Sequence, residues 1–148
     1  SGFEIRIIPQ NPELELQKEI SASLIEYLSK EFPNKEIIIQ IDSTISFVDC
    51  GQGFEKVICP KCNSEISMDY WNESMDKASK GNFKDLTIKT ICCQTLTDLN
   101  SLKYQADCGF AKSIITVIDP NSKINDSKLM LDLKKKFGID FKIIYTHI

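Results

Sequence analysis

The residues able to do chemistry in this 148-residue chain are six cysteines, Cys50, Cys59, Cys62, Cys92, Cys93 and Cys108, set against a single histidine, His147. In the stretch VICPKCNSEI, Val57 to Ile66, a proline and a lysine separate Cys59 from Cys62. Such a pair can be a metal clamp, a redox couple, half of a disulfide framework, or two small apolar residues that lie close together. Two cysteines with two residues between them form a turn whose backbone amides point at the sulfurs, which suits a tetrahedral site of soft ligands. The chain after the second cysteine tends to need a left-handed residue. Asparagine is second only to glycine there, and Asn63 occupies the position.

A second pair, Cys92-Cys93, follows the strand-like DLTIKTI. Adjacent side chains on a regular strand point to opposite faces, so both sulfurs reach one ion only if the backbone turns at that point. The primary assignment is Cys59, Cys62, Cys92 and Cys93 around one zinc ion. The fallback replaces Cys92 or Cys93 with Cys108 or Cys50, which otherwise read as small buried apolar residues. Four ligands leave no open coordination position, so a metal-bound water for hydrolysis is not expected.

The competing uses of the thiols explain fewer residues. A disulfide scaffold calls for an oxidising compartment and a core too small to support itself, whereas 42% of this chain is apolar. A thioredoxin-like pair sits at a helix start, yet NSEISMDYW shows no helical stripe until about Asp69. No other catalyst emerges. With one histidine, His-based triads are excluded, and His147 reads as a strand-end residue. GQG at Gly51–Gly53 lacks the lysine and following helix of a phosphate loop and reads as a turn. The sequence therefore favours a non-enzymatic module.

Around the cysteines, the elements read as follows. Phe3–Pro9 is a strand; Asn11 is expected to cap a helix with Pro12 at its first position and Leu16, Ile20, Leu24, Tyr27, Leu28 and Phe32 on one stripe. EIIIQI and TISFV read as one strand bent near Asp42-Ser43, or as a tight hairpin, with the bent strand favoured. Lys112–Ile118 is a strand, and a helix from about Asp126 turns Leu129, Met130, Leu133 and Phe137 inward. Lys134–Lys136 complement that helix's C-terminal dipole, Gly138 ends it, and IDFKIIYTHI is a closing strand. Strand-helix-strand twice over predicts an α+β, ferredoxin-like βαββαβ sandwich forming a single domain over 1–148. Residues 51–110 fall between its second and third strands as a zinc-ribbon-like insertion. The large apolar residues of that insertion, chiefly Phe54, Tyr70, Trp71, Phe83 and Leu86, are few. A structural zinc, supplying about 10–16 kcal/mol in finger peptides, is expected to stand in for the missing core. DLNSL, from Asp98 to Leu102, is expected to pack between ribbon and sandwich.

From Cys59 to Val117 the chain resembles a set of small uncharacterised bacterial proteins with a zinc-ribbon-like pattern. The resemblance is carried by CPKCN, Trp71, the Cys92-Cys93 pair and LTDLNSLKYQADCGFAKSIITV. It implies ligands at Cys59, Cys62, Cys92 and Cys93 and brings no activity with it. The chain departs from the pattern at Asn63 and Gln94, where glycines are expected, and at Cys108, just before Gly109.

The net charge of −3 gives no global attraction to nucleic acid or anionic lipid. Residues 51–100 carry six basic and seven acidic side chains, without a basic stripe. A protein partner is expected, with a nucleic-acid-binding ribbon and a thiol-based redox or metal sensor as alternatives. Apolar runs are of strand length, no export signal is visible, and Ser1-Gly2 reads as a trimmed tag, so the expected location is the cytoplasm.

Overall fold

The computed structural model describes residues 3–51, 56–120 and 124–147. Phe54 and most of the expected Gly51–Gly53 turn lie outside them. In chain order the elements are β1 (Phe3–Pro9), α1 (Lys18–Glu31), β2 (Ile37–Val48), β3 (Val57–Ile58), β4 (Glu65–Ile66), α2 (Met68–Lys80), β5 (Thr87–Lys89) and β6 (Leu96–Asp98). They continue with β7 (Lys103–Tyr104), β8 (Gly109–Ile118), α3 (Asp126–Phe137) and β9 (Phe141–His147). The fold is mixed α+β. A four-stranded sheet has the order β2-β8-β1-β9 with every neighbour antiparallel. Two small antiparallel sheets, β4-β3-β7 and β5-β6, lie between β2 and β8 in sequence.

Strand alternation sorts the apolar residues of the large sheet. Ile5, Ile7, Ile115, Val117, Phe141 and Ile143 face α1 and α3, meeting Leu24, Leu28, Leu129 and Leu133. Each fully buried side chain of this kind contributes about 1.5–3 kcal/mol, so this face holds the sheet and its two helices together. Ile8, Val48, Ala111 and Ile144 form a smaller cluster of their own. Among the described residues no helix is long and apolar enough to cross a membrane.

The bend expected in the second strand is present. The register of β2 against β8 shifts between Ile41, opposite Ser113, and Ser46, opposite Ala111. This frees Lys112 from the ladder, and its N–H donates to the Pro12 carbonyl at 3.0 Å. The buried Ser113 hydroxyl donates to the Leu14 carbonyl at 2.9 Å and accepts from the Leu16 N–H at 3.0 Å.

Those bonds correct the expected helix start. Asn11 does not cap a helix at Pro12: its side chain accepts from the Glu13 N–H in a local turn. The backbone that follows is tied to β8, and α1 begins only at Lys18. A helix from Pro12 would have to surrender the bonds to Lys112 and Ser113. The later stops behave as the residue types dictate. Gly138 is left-handed at φ 71° and closes α3 through its N–H to the Lys134 carbonyl. Gly51, at φ 75°, passes so close to β9 that a Cβ there would meet the His147 carbonyl oxygen at 2.2 Å.

The far half of the β2-β8 pair extends toward the intervening residues and becomes their floor. Phe47 and Phe110, with ring centroids 5.2 Å apart, pack against Trp71 and Phe83 at 6.0 and 5.5 Å respectively. Val57, Ile66, Ile88, Leu99 and Leu102 complete this second core. The expectation of a segment short of core is therefore corrected. It draws Ile45, Phe47 and Phe110 from the sheet, and its own smaller aliphatic residues close over them. The Asp98–Leu102 stretch joins this packing as expected, with Leu99 and Leu102 buried and the Asn100 amide donating to the Gln10 carbonyl at 3.1 Å.

Candidate metal centre

At the end of β3 the chain folds into a tight loop before β4. The Cys59 N–H donates to the Ser64 carbonyl at 2.9 Å and the Asn63 N–H to the Cys59 carbonyl at 3.0 Å. Asn63 sits at φ 61°, the left-handed conformation its type accepts, and its side-chain oxygen takes a bond from Lys103 Nζ at 2.7 Å. The second pair lies in the loop joining β5 to β6, so the backbone does turn at Cys92-Cys93. Gln94 follows at φ 58°, the left-handed geometry in a residue type that rarely adopts it.

The two loops bring Cys59, Cys62, Cys92 and Cys93 together with all four sulfurs within 4.8 Å of one another. Cys62 Sγ lies 3.3 Å from Cys92 Sγ, and Cys59 Sγ 3.8 Å from Cys93 Sγ. A metal held at about 2.3 Å by four thiolates sets its sulfurs roughly 3.8 Å apart. The spacing thus fits an ion at the centre of the four, and the group could hold one. None of the six cysteines forms a disulfide.

Cys59 is buried, while Cys62, Cys92 and Cys93 are exposed, so the cluster opens to solvent on one side. Cys50 and Cys108 are both buried away from this group, and burial pushes the Cys108 thiol up to about 12. They are not among the sulfurs gathered here.

The surroundings favour thiolate at two of the four positions. Hydroxyl hydrogen bonds from Thr95 and then Thr90 pull the Cys93 thiol down to about 6. The backbone amides of Cys62 and Lys61 lower Cys59. Contact with the Cys62 sulfur raises Cys92 to about 11. Thr95 Oγ1 lies 3.1 Å and Thr90 Oγ1 3.5 Å from Cys93 Sγ. Neither threonine was signalled by the sequence, because a hydroxyl is no ligand for a soft ion.

A second layer fixes the loops in place. The Tyr70 hydroxyl, on the first turn of α2, donates to the Lys89 carbonyl at 2.5 Å, one residue before the second loop. Trp71 Nε1 donates to the Tyr104 hydroxyl at 3.2 Å, which in turn donates to the Leu99 carbonyl at 2.5 Å. Helix α2 is aimed by its N-cap, where the Ser67 hydroxyl accepts from the Tyr70 N–H. His147, at the exposed end of β9, is not part of the cluster. Comparison of the chain with models of protein families, with curated proteins and with solved structures gave no significant match.

Proposed function

We propose that the chain is a non-enzymatic binding module in which Cys59, Cys62, Cys92 and Cys93 hold one structural Zn2+. The observation that carries this is the convergence of four sulfurs within 4.8 Å from two separate loops. Soft thiolates in a set of four select zinc over harder divalent ions, and such a set fills all the coordination positions. In this reading residues 51–110 are a zinc-ribbon-like insertion into a ferredoxin-like βαββαβ sandwich, the whole forming a single domain. The sheet order β2-β8-β1-β9 and the placement of α1 and α3 over one face support it, as does the aromatic core shared between insertion and sheet. The resemblance to small bacterial zinc-ribbon-like proteins rests on the motif residues alone.

The role of the module is to present a surface to another protein. Ile91 and Leu96, 64% and 72% exposed, flank the cysteine loop. The even charge of residues 51–100 offers nucleic acid little. A thiol-based sensor is the second reading, and the exposure of three of the four cysteines favours it. Thiols outside any disulfide suit a reducing compartment such as the cytoplasm.

Elemental analysis of the purified chain tests the proposal. One zinc per chain is expected, falling well below one in each of Cys59→Ser, Cys62→Ser, Cys92→Ser and Cys93→Ser. Folded wild-type protein that takes up no zinc would overturn it. Zinc that leaves reversibly on mild oxidation at Cys93 would favour the sensor.

A further inference from the structure

The two cysteine loops share one backbone frame. In the first, the Cys59 N–H bonds the Ser64 carbonyl at 2.9 Å and the Asn63 N–H bonds the Cys59 carbonyl at 3.0 Å. In the second, the Thr90 N–H bonds the Thr95 carbonyl at 2.9 Å and the Gln94 N–H bonds the Thr90 carbonyl at 3.0 Å. Asn63 and Gln94, at φ 61° and 58°, are the matching left-handed residues. Laid position on position, Cys59 corresponds to Thr90, Lys61 to Cys92 and Cys62 to Cys93.

The frame holds cysteine at its first and fourth positions in one loop, and threonine and cysteine in the other. Thr90 is as fully buried as Cys59, each at 0% exposure. Its hydroxyl lies 3.5 Å from Cys93 Sγ, on the side of the cluster. Cys92 occupies the position that in the first loop carries the exposed Lys61.

We propose that Thr90 stands in the ligand position of the second loop, and that Cys92 supplies the fourth sulfur in its stead from a neighbouring position of the same frame. This inference rests on the four-cysteine zinc reading. A neutral hydroxyl is a poor donor to a soft ion, so a frame with threonine in that position is one sulfur short, and Cys92 makes up the number. Thr90 then acts from outside the coordination shell, donating its hydroxyl to the Cys93 thiolate. The geometry also means that a sulfur placed at residue 90 would enter the site directly and make Cys92 dispensable.

Zinc affinity and the cobalt(II) spectrum, measured on wild type, Cys92→Ser, Thr90→Cys/Cys92→Ser and Thr90→Cys, test this. Cys92→Ser should weaken zinc by more than the roughly 100-fold that outer-shell changes reach, with a thiolate-to-cobalt band reduced to three sulfurs. Thr90→Cys/Cys92→Ser should recover affinity to within about 10-fold of wild type and restore the four-sulfur band. In zinc-loaded Thr90→Cys, Cys92 should become open to iodoacetamide at alkaline pH, where a free thiol at this position ionises, whereas in zinc-loaded wild type it is protected under the same conditions. This single variant reports on the proposal even if the double variant does not fold.

A folded double variant that binds zinc no better than Cys92→Ser would overturn the inference, as would a Cys92 that stays protected in loaded Thr90→Cys. Cys92→Ser binding as tightly as wild type would do the same. The first two of those results leave the zinc reading standing, whereas the third would also take Cys92 out of the proposed ligand set. Wild type that binds no zinc removes that reading, and this inference with it.

Discussion

At the scale of single residues, two positions decide what the cysteine loops can do. Asn63 was legible from its type, since asparagine accepts the left-handed conformation that the turn after Cys62 demands. Gln94 was not. Nothing in a glutamine signals φ 58°, and it is the pair of backbone bonds around Thr90 that forces it there. Thr90 and Thr95 were invisible for a different reason: their effect is a hydrogen bond to sulfur, which no spacing of ligand types records. They hold metal-free Cys93 at about 6, below neutral pH, while Cys92 stands near 11, above it. A thiol is deprotonated above its pKa. In zinc-stripped protein at pH 7, iodoacetamide should therefore label Cys93 before Cys92, with mass spectrometry giving the order. Lowering the pH below 6 should slow the labelling of Cys93 by protonating it, while Cys92 stays unlabelled. Ser113 illustrates a residue whose importance rests wholly on tertiary placement. Ser113→Ala leaves the buried Leu16 N–H and Leu14 carbonyl without their partner, and should cost about 1–3 kcal/mol in urea unfolding.

At the scale of elements, regular segments followed from hydrophobic period and the irregular ones did not. β1, the bent β2, α3 with its lysine-rich last turn and β9 all stand where alternation, capping types and Gly138 placed them. The start of α1 did not, because Asn11-Pro12 is a good local helix signal that long-range bonds to Lys112 and Ser113 override. α2 was hinted at only from about Asp69, and it begins at Met68 behind a serine cap. Its main work is to deliver Trp71 into the aromatic core shared with Phe47 and Phe110. That core was not legible because Phe47 belongs to a strand assigned to the sheet, and Phe110, expected in the insertion, lies instead on β8, which starts at Gly109 rather than Lys112. Trp71→Ala should cost about 3–5 kcal/mol by urea unfolding monitored by circular dichroism. It should also weaken zinc binding, since α2 loses the anchor that aims Tyr70 at the Lys89 carbonyl. Gly138→Ala, which puts a Cβ on a left-handed residue in open space, should cost only about 1 kcal/mol and leave zinc untouched.

At the scale of the whole molecule, two cores divide the stability. One lies between the sheet and α1 with α3; the other lies between the β2-β8 extension and the residues that carry the cysteines. The second core packs residues 57–104 against the sheet independently of any ion the cysteines hold. Removing the ion with a chelator should leave far-UV circular dichroism close to that of the loaded protein. Amide exchange should quicken in Cys59–Ser64 and Thr90–Thr95, with little change in β1, β8 and β9. Wholesale unfolding on chelation would show instead that the aromatic floor cannot hold without the metal.

The excursion that carries the cysteines leaves the large sheet at Val48 and returns at Gly109, residues paired across one ladder. It is therefore a closed ring, knotted at its root by strand pairing and near its tip by sulfur. Tying Cys62 to Cys92 through an ion subdivides this ring, and the benefit of a tie grows only slowly with the length enclosed, by roughly 0.6 kcal/mol per doubling. Lengthening the exposed turn at Gly81-Asn82 with a few glycines should consequently lower the melting temperature only slightly in the presence of zinc. With an ion held as proposed, the excursion can change in length without loosening the tie between its two cysteine loops.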